Sequence, residues 1–88
     1  MVERTVTIVN RQGLHARPAA EIVKLTSKFD AEVTLVRDDL EVNGKSIMGL
    51  MMLAAGQGSK LKFTTIGEGG SDMIKEMEKL FERKFDEP

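Results

Sequence analysis

Apolar and polar positions alternate from Val2 to Ile8. Val2, Arg4, Val6 and Ile8 fall on one face, and Glu3, Thr5 and Thr7 on the other. Alternation with this β-branched content predicts a strand. Asn10 to Gly13 reads as a loop. The period then changes: Ala16, Ala19, Ile22, Val23, Thr26 and Phe29 form one helical stripe. Pro18 is tolerated only near a helix start, where backbone N–H groups have no intrahelical partner, so the N-cap falls at His15 or Ala16. Leu25 lies off the stripe and is expected to be partly exposed.

The pattern returns to alternation at Ala31–Arg37, where Val33 and Leu35 face one way. Asp38-Asp39 signals a turn, and Leu40–Val42 is a short third strand, placed as a hairpin partner of the second. Asn43-Gly44 is a further turn, and Ser46 is a suitable N-cap for a helix over Ile47–Ala55, closed by Gly56 with Gly58 beyond. Lys60–Ile66 alternates again, with Leu61 and Phe63 inward. Gly67–Gly70 reads as a flexible loop, after which Ser71 or Asp72 can cap a last helix. Its stripe is Ile74, Met77, Phe81 and Phe85, widened by Met73 and Leu80, and Lys75, Glu76, Glu78, Lys79, Glu82 and Arg83 form its charged outer face. The predicted order is β-α-β-β-α-β-α. The hairpin implies a mixed or antiparallel sheet with helices on one face, a two-layer α/β sandwich.

Composition narrows the function. Eighty-eight residues, 41% hydrophobic and 31% charged, fit one small soluble domain spanning 1–88. A chain this short buries only about 60–65% of the surface its unfolded form exposes, so a site is expected on the surface rather than in a deep cleft. Thirteen basic against fourteen acidic residues argue against a general nucleic-acid binder. Without cysteine, disulfides and thiolate metal sites drop out. Met1-Val2-Glu3-Arg4 is charged at once, unlike a secretory leader. No apolar run approaches the ~20 residues that span a bilayer. A cytoplasmic protein without membrane insertion is the expectation.

Against that background one stretch stands out: Gly13-Leu14-His15-Ala16-Arg17-Pro18-Ala19-Ala20. His15 is the single histidine, so no second histidine or cysteine completes a metal site. A lone histidine is most often an ordinary surface side chain. Here, however, it opens a helix, whose free N–H groups and partial positive charge bind phosphate readily. The amides of Ala16 and Arg17 would point at a group held on His15, and the Arg17 guanidinium offers fork-like donors for phosphate oxygens. Neutral imidazole is a nucleophile near pH 7. Phosphoryl transfer needs little beyond in-line positioning and charge stabilisation. No base that would activate water is apparent, which suits a carrier that must not hydrolyse its cargo. Lys24, and more remotely Lys28, would add a weak basic rim near His15.

A second stretch, Asn43-Gly44-Lys45-Ser46-Ile47-Met48-Gly49-Leu50-Met51-Met52-Leu53, has a plain structural reading: an N-cap followed by core residues. A short helix cannot bury every side of so apolar a run. Ile47, Met48 and Met51 are expected outward as an adaptable partner surface, with Leu50 and Leu53 inward. Ser46 is also a candidate phosphorylation site, where roughly −1.5 to −2 charges would alter partner binding more than fold. Lys45-Ser46 matches only the end of a P-loop, because the upstream glycine is missing.

Together these stretches closely resemble the HPr family, the histidine-containing phosphocarriers of the bacterial phosphoenolpyruvate:sugar phosphotransferase system. Motif separation and total length match too. The resemblance implies an open-faced β-sandwich of four antiparallel strands under three helices. It implies that His15 accepts a phosphoryl group on Nδ1 from enzyme I and passes it to sugar-specific enzyme IIA proteins, with Arg17 assisting. It implies that Ser46 is the regulatory serine of an HPr kinase/phosphorylase, linked to a catabolite-control transcription factor, and that Ile47, Met48 and Met51 form the docking patch. A monomer without cofactor or metal is expected. Gln12 departs from the small hydroxyl residue of many members. His15 argues against a regulatory paralogue that lacks the histidine, whereas a nitrogen-related branch keeps it and stays open. The rival reading is a regulatory interaction module in which Ser46 and the Met surface matter more than His15.

Overall fold

The computed structural model describes residues 1–87. Its elements run β1 (Val2–Thr7), α1 (Ala16–Thr26), β2 (Glu32–Arg37), β3 (Leu40–Asn43), α2 (Ile47–Met52), β4 (Lys60–Ile66) and α3 (Gly70–Glu82). A short turn, Lys84–Asp86, follows. The strands form one antiparallel sheet in the order β1-β4-β2-β3. The expected architecture is therefore the observed one, and the sheet is antiparallel throughout.

Register explains why one face is apolar. Val6 lies opposite Leu61, Leu35 opposite both Phe63 and Val42, and Val33 opposite Thr65. With a side-chain period of two, these residues share the face on which the helices pack. Ile22 of α1, Leu50 of α2, and Met73, Ile74 and Met77 of α3 close over them, all buried. Phe63, Phe81 and Phe85 stack in series, with ring centroids 5.3 and 4.8 Å apart.

Four local expectations are corrected. On α1 the buried positions are Pro18, Ala19, Ile22 and Thr26, while Ala16 is exposed. Pro18 takes the first place on the stripe because its ring lies on the core side. The second helix ends at Met52 rather than Ala55. Two carbonyls past its end have other donors: Arg37 Nη1 donates to Leu53 O at 3.0 Å, and Leu14 N–H to Ala55 O at 2.8 Å. Ala54, at φ 49°, makes the left-handed stop expected of Gly56. The last helix starts at Gly70 with Gly69 (φ 88°) as its N-cap, ahead of Ser71 and Asp72. A Cβ on Gly70 would lie 2.5 Å from Thr65 Oγ1, so this glycine permits the helix to begin against β4. Finally, Phe85 is buried as expected, but from the turn after α3.

Candidate functional site

His15 is the N-cap of α1. Its backbone is extended (φ −94°, ψ −169°), and its side chain makes no capping bond to the helix. The Ala16 and Arg17 N–H groups have no hydrogen-bond partner among the described residues, and Pro18 has no N–H to offer. Upstream, the loop is held tightly. Leu14 N–H donates to Ala55 O, and His15 N–H donates to Gly13 O at 3.1 Å. Gly13 has φ 68°, and a Cβ there would sit 2.6 Å from Ala55 O. Only glycine fits this approach without displacing the loop.

The imidazole has a partner that no local pattern announced. Glu87 Oε2 lies 2.7 Å from His15 Nε2 and 3.1 Å from Arg17 Nη1, while Glu87 Oε1 accepts from Asn10 Nδ2 at 3.0 Å. The turn at Lys84–Asp86 delivers this carboxylate. Its three residues have φ of 56°, 56° and 59°, and buried Phe85 pins it to the core. Burial pushes the Glu87 carboxyl up, but the bonds from Asn10 and His15, the His15 charge and the Arg17 bond together hold it below its ordinary value of 4.5. Glu87 is thus ionised at neutral pH and can only accept.

This fixes the tautomer. An acceptor-only carboxylate 2.7 Å from Nε2 requires the ring proton on Nε2. Neutral imidazole then keeps a lone pair on Nδ1, which has no partner among the described residues. His15, Arg17, Glu87, Arg11 and Gln12 line an open depression of about 630 Å³, shallow as a small chain requires. An unengaged ring nitrogen, free amides at a helix start and a half-exposed guanidinium can bind an anionic electrophile and form a bond to it. Among the described residues no cluster of three His, Asp or Glu could hold a metal, and no helix is long and apolar enough to cross a membrane.

The other candidate residues lie apart from this depression. Ser46 is the N-cap of α2, its Oγ accepting from Gly49 N–H at 3.0 Å. Lys45, next to it, donates from Nζ to Phe29 O at 2.7 Å, beyond the end of α1. Ile47, Met48 and Met51 are 42%, 78% and 45% exposed, with Met52 also outward at 65%, while Leu50 and Leu53 are buried. The structure does not bring Lys24 to His15. It lines a charged groove between α1 and α3 with Glu21, Lys28, Glu76, Lys79 and Arg83, nine residues and thus about 13 Å along the helix. Glu87 and Asn10 are the site residues that sequence reading missed. The one signal was Phe85 two positions before Glu87, continuing an apolar stripe past the helix end.

Comparison with known proteins places this geometry. The family model described as "PTS HPr component phosphorylation site" matches residues 2–83. The chain is 49% identical to a phosphocarrier protein HPr of Treponema pallidum, with 99% of each covered. It is 38% identical to a phosphocarrier protein NPr of Shewanella violacea, covering 98% of this chain and 94% of that one. Among solved structures, HPr-C-His from Thermoanaerobacter tengcongensis superposes with a TM-score of 0.96 at 43% identity, over 100% of this chain and 99% of that one. An HPr dimer from the same organism superposes with a TM-score of 0.79 at 44% identity, over 99% and 100%. By family match, overall identity and superposition alike, the chain belongs to the HPr family of phosphocarriers of the phosphotransferase system.

Proposed function

We propose that this chain carries a phosphoryl group covalently on Nδ1 of His15, taking it from phospho-enzyme I and giving it to sugar-specific enzyme IIA proteins, as a carrier rather than an enzyme. The observation that supports this most directly is the Glu87–His15 pair. In the neutral ring, with its one proton held on Nε2, the Nδ1 lone pair attacks phosphorus. The new N–P bond forms as the donor's bond to phosphorus breaks, and the electron pair returns to the donor. Transfer to the acceptor runs the same exchange in reverse, and the Nε2 proton stays beside Glu87 throughout. The free amides of Ala16 and Arg17 and the Arg17 guanidinium stabilise the charge on the equatorial oxygens. Glu87 is occupied by Asn10, His15 and Arg17, so it does not serve as a base for water.

Docking is assigned to Ile47, Met48 and Met51, with Lys24 as an outlying contact for an acidic partner. Ser46 is assigned a regulatory phosphorylation by a serine kinase/phosphorylase. The phosphorylated form would be read by a catabolite-control transcription factor. Its hydroxyl accepts from Gly49 N–H, which leaves the hydroxyl proton free to be replaced. The relative named NPr supports a second reading, a nitrogen-related phosphotransferase branch using the same histidine chemistry. The working form is proposed to be a cytoplasmic monomer, although one similar structure is an HPr dimer; light scattering at working concentration decides. The decisive test supplies phosphoenolpyruvate and enzyme I. The wild-type protein is expected to acquire an acid-labile phosphoryl label, and His15→Ala none. Label retained by His15→Ala overturns the proposal.

A further inference from the structure

Asn10 precedes the His15 motif and sits outside it, yet it is among the most buried polar residues, 1% exposed. Its side-chain amide donates to two acceptors of different kinds. Nδ2 gives one hydrogen to Gly13 O at 2.8 Å and the other to Glu87 Oε1 at 3.0 Å. Both partners accept only, so the amide cannot be reversed without setting two oxygens against its own. Its Oδ1 is left buried with no partner among the described residues. It is the amide's two hydrogens, not this oxygen, that its surroundings use. What Asn10 provides is a link. Gly13 O also accepts the His15 N–H, so one end of the amide holds the backbone that carries the histidine. The other end holds the carboxylate that carries the histidine's Nε2 proton.

We propose that Asn10 is a positioning residue for phosphoryl transfer, its two amide hydrogens fixing the His15 loop and the Glu87 carboxylate relative to one another so that the imidazole presents an unprotonated Nδ1. The inference rests on the carrier reading and adds to it: Asn10 never touches the phosphoryl group, and acts through Glu87 and Gly13. Loss of the link leaves the nucleophile in place but lets the ring sample the other tautomer and other orientations.

Three measurements on the full chain test this. In ¹⁵N spectra of the ring at neutral pH, wild type is expected to show the Nε2–H tautomer. Asn10→Ala, and the near-isosteric Asn10→Leu should the first fold poorly, are expected to show a mixture of both. With phosphoenolpyruvate and enzyme I, the labelling rate is expected to fall about tenfold in Asn10→Ala, short of the roughly hundredfold that follows a 1 Å misplacement of reacting groups. In a Glu87→Ala background the same Asn10 substitution is expected to cost little further, because the two act in series. A purely structural brace would instead give additive losses and an unchanged tautomer, and either result overturns the inference. In the unsubstituted protein the Asn10 side-chain amide shifts are expected to follow the titration of Glu87; flat shifts also overturn it. Wild type that takes no label overturns the carrier reading, and this inference with it. Labelled wild type with an equally fast, folded Asn10→Ala overturns the inference alone.

Discussion

At the scale of single residues, the site is a matter of where one negative charge goes. Glu87 presents its carboxylate to an imidazole, a guanidinium and a buried amide. Its carboxyl is held below 4.5 when folded, so the folded state binds fewer protons there than the unfolded state. The resulting stability is complete above 4.5 and is lost as pH falls through the lowered folded value. Unfolding free energies of wild type and Glu87→Gln from urea titration are therefore expected to differ by roughly 1–2 kcal/mol near pH 7 and to converge in acid. A difference that persists in acid would mean that the charge is not the cause. The cap position of His15 and the place of Arg17 in the first turn were legible in the sequence because both are local. Glu87 was not, because it lies 72 residues from His15 and no periodicity links them. Asn10 read as a loop residue for a similar reason: its role is set by what folds back onto it.

At the scale of elements, helix ends carried most of the errors. The apolar period continued through Leu53 and Ala55 and so extended the second helix. The backbone leaves it earlier because Arg37 and Leu14 supply donors to the carbonyls beyond. The glycines before α3 read as slack, whereas two of them are its cap and its contact with β4. Ser46, by contrast, was plain from residue type, and its bond to Gly49 N–H sets its worth. Ser46→Ala is expected to destabilise by about 1 kcal/mol in thermal or urea unfolding. Met48→Ala is expected to change stability by less than about 0.5 kcal/mol, since that side chain is 78% exposed. A large stability loss from Met48→Ala would place it in the core instead. The turn that delivers Glu87 holds three successive non-glycine residues in the left-handed region, which L-residues occupy at a cost of about 1–2 kcal/mol each. Lys84→Gly is expected to stabilise by roughly 0.5–1 kcal/mol once the greater freedom of glycine in the unfolded chain is set against that relief. A loss of stability would show that the Lys84 side chain contributes more than its backbone costs.

At the scale of the molecule, strand number, helix number and the covered face followed from alternation and stripe, but strand order did not. β4 lies between β1 and β2, and pairing across more than fifty residues leaves no mark on the local pattern. The aromatic series Phe63–Phe81–Phe85 joins that central strand to α3 and to the turn before Glu87. Phe81→Ala is expected to cost about 3–5 kcal/mol, a large share of the roughly 5–15 kcal/mol available to a domain. Calorimetry would show this as a much lowered melting temperature. A further consequence follows from the bond between Leu14 N–H and Ala55 O. It ties the histidine loop to the segment leaving α2, so the methionine patch and the imidazole are mounted on a common frame. A protein seated on Met48 and Met51 would find the unengaged nitrogen of His15 at a preset distance. Visitors of unrelated shape could then share one reach, that alignment being held by a peptide-to-peptide bond, by the packing of α1 on α2 and by a glycine that leaves no room for slack.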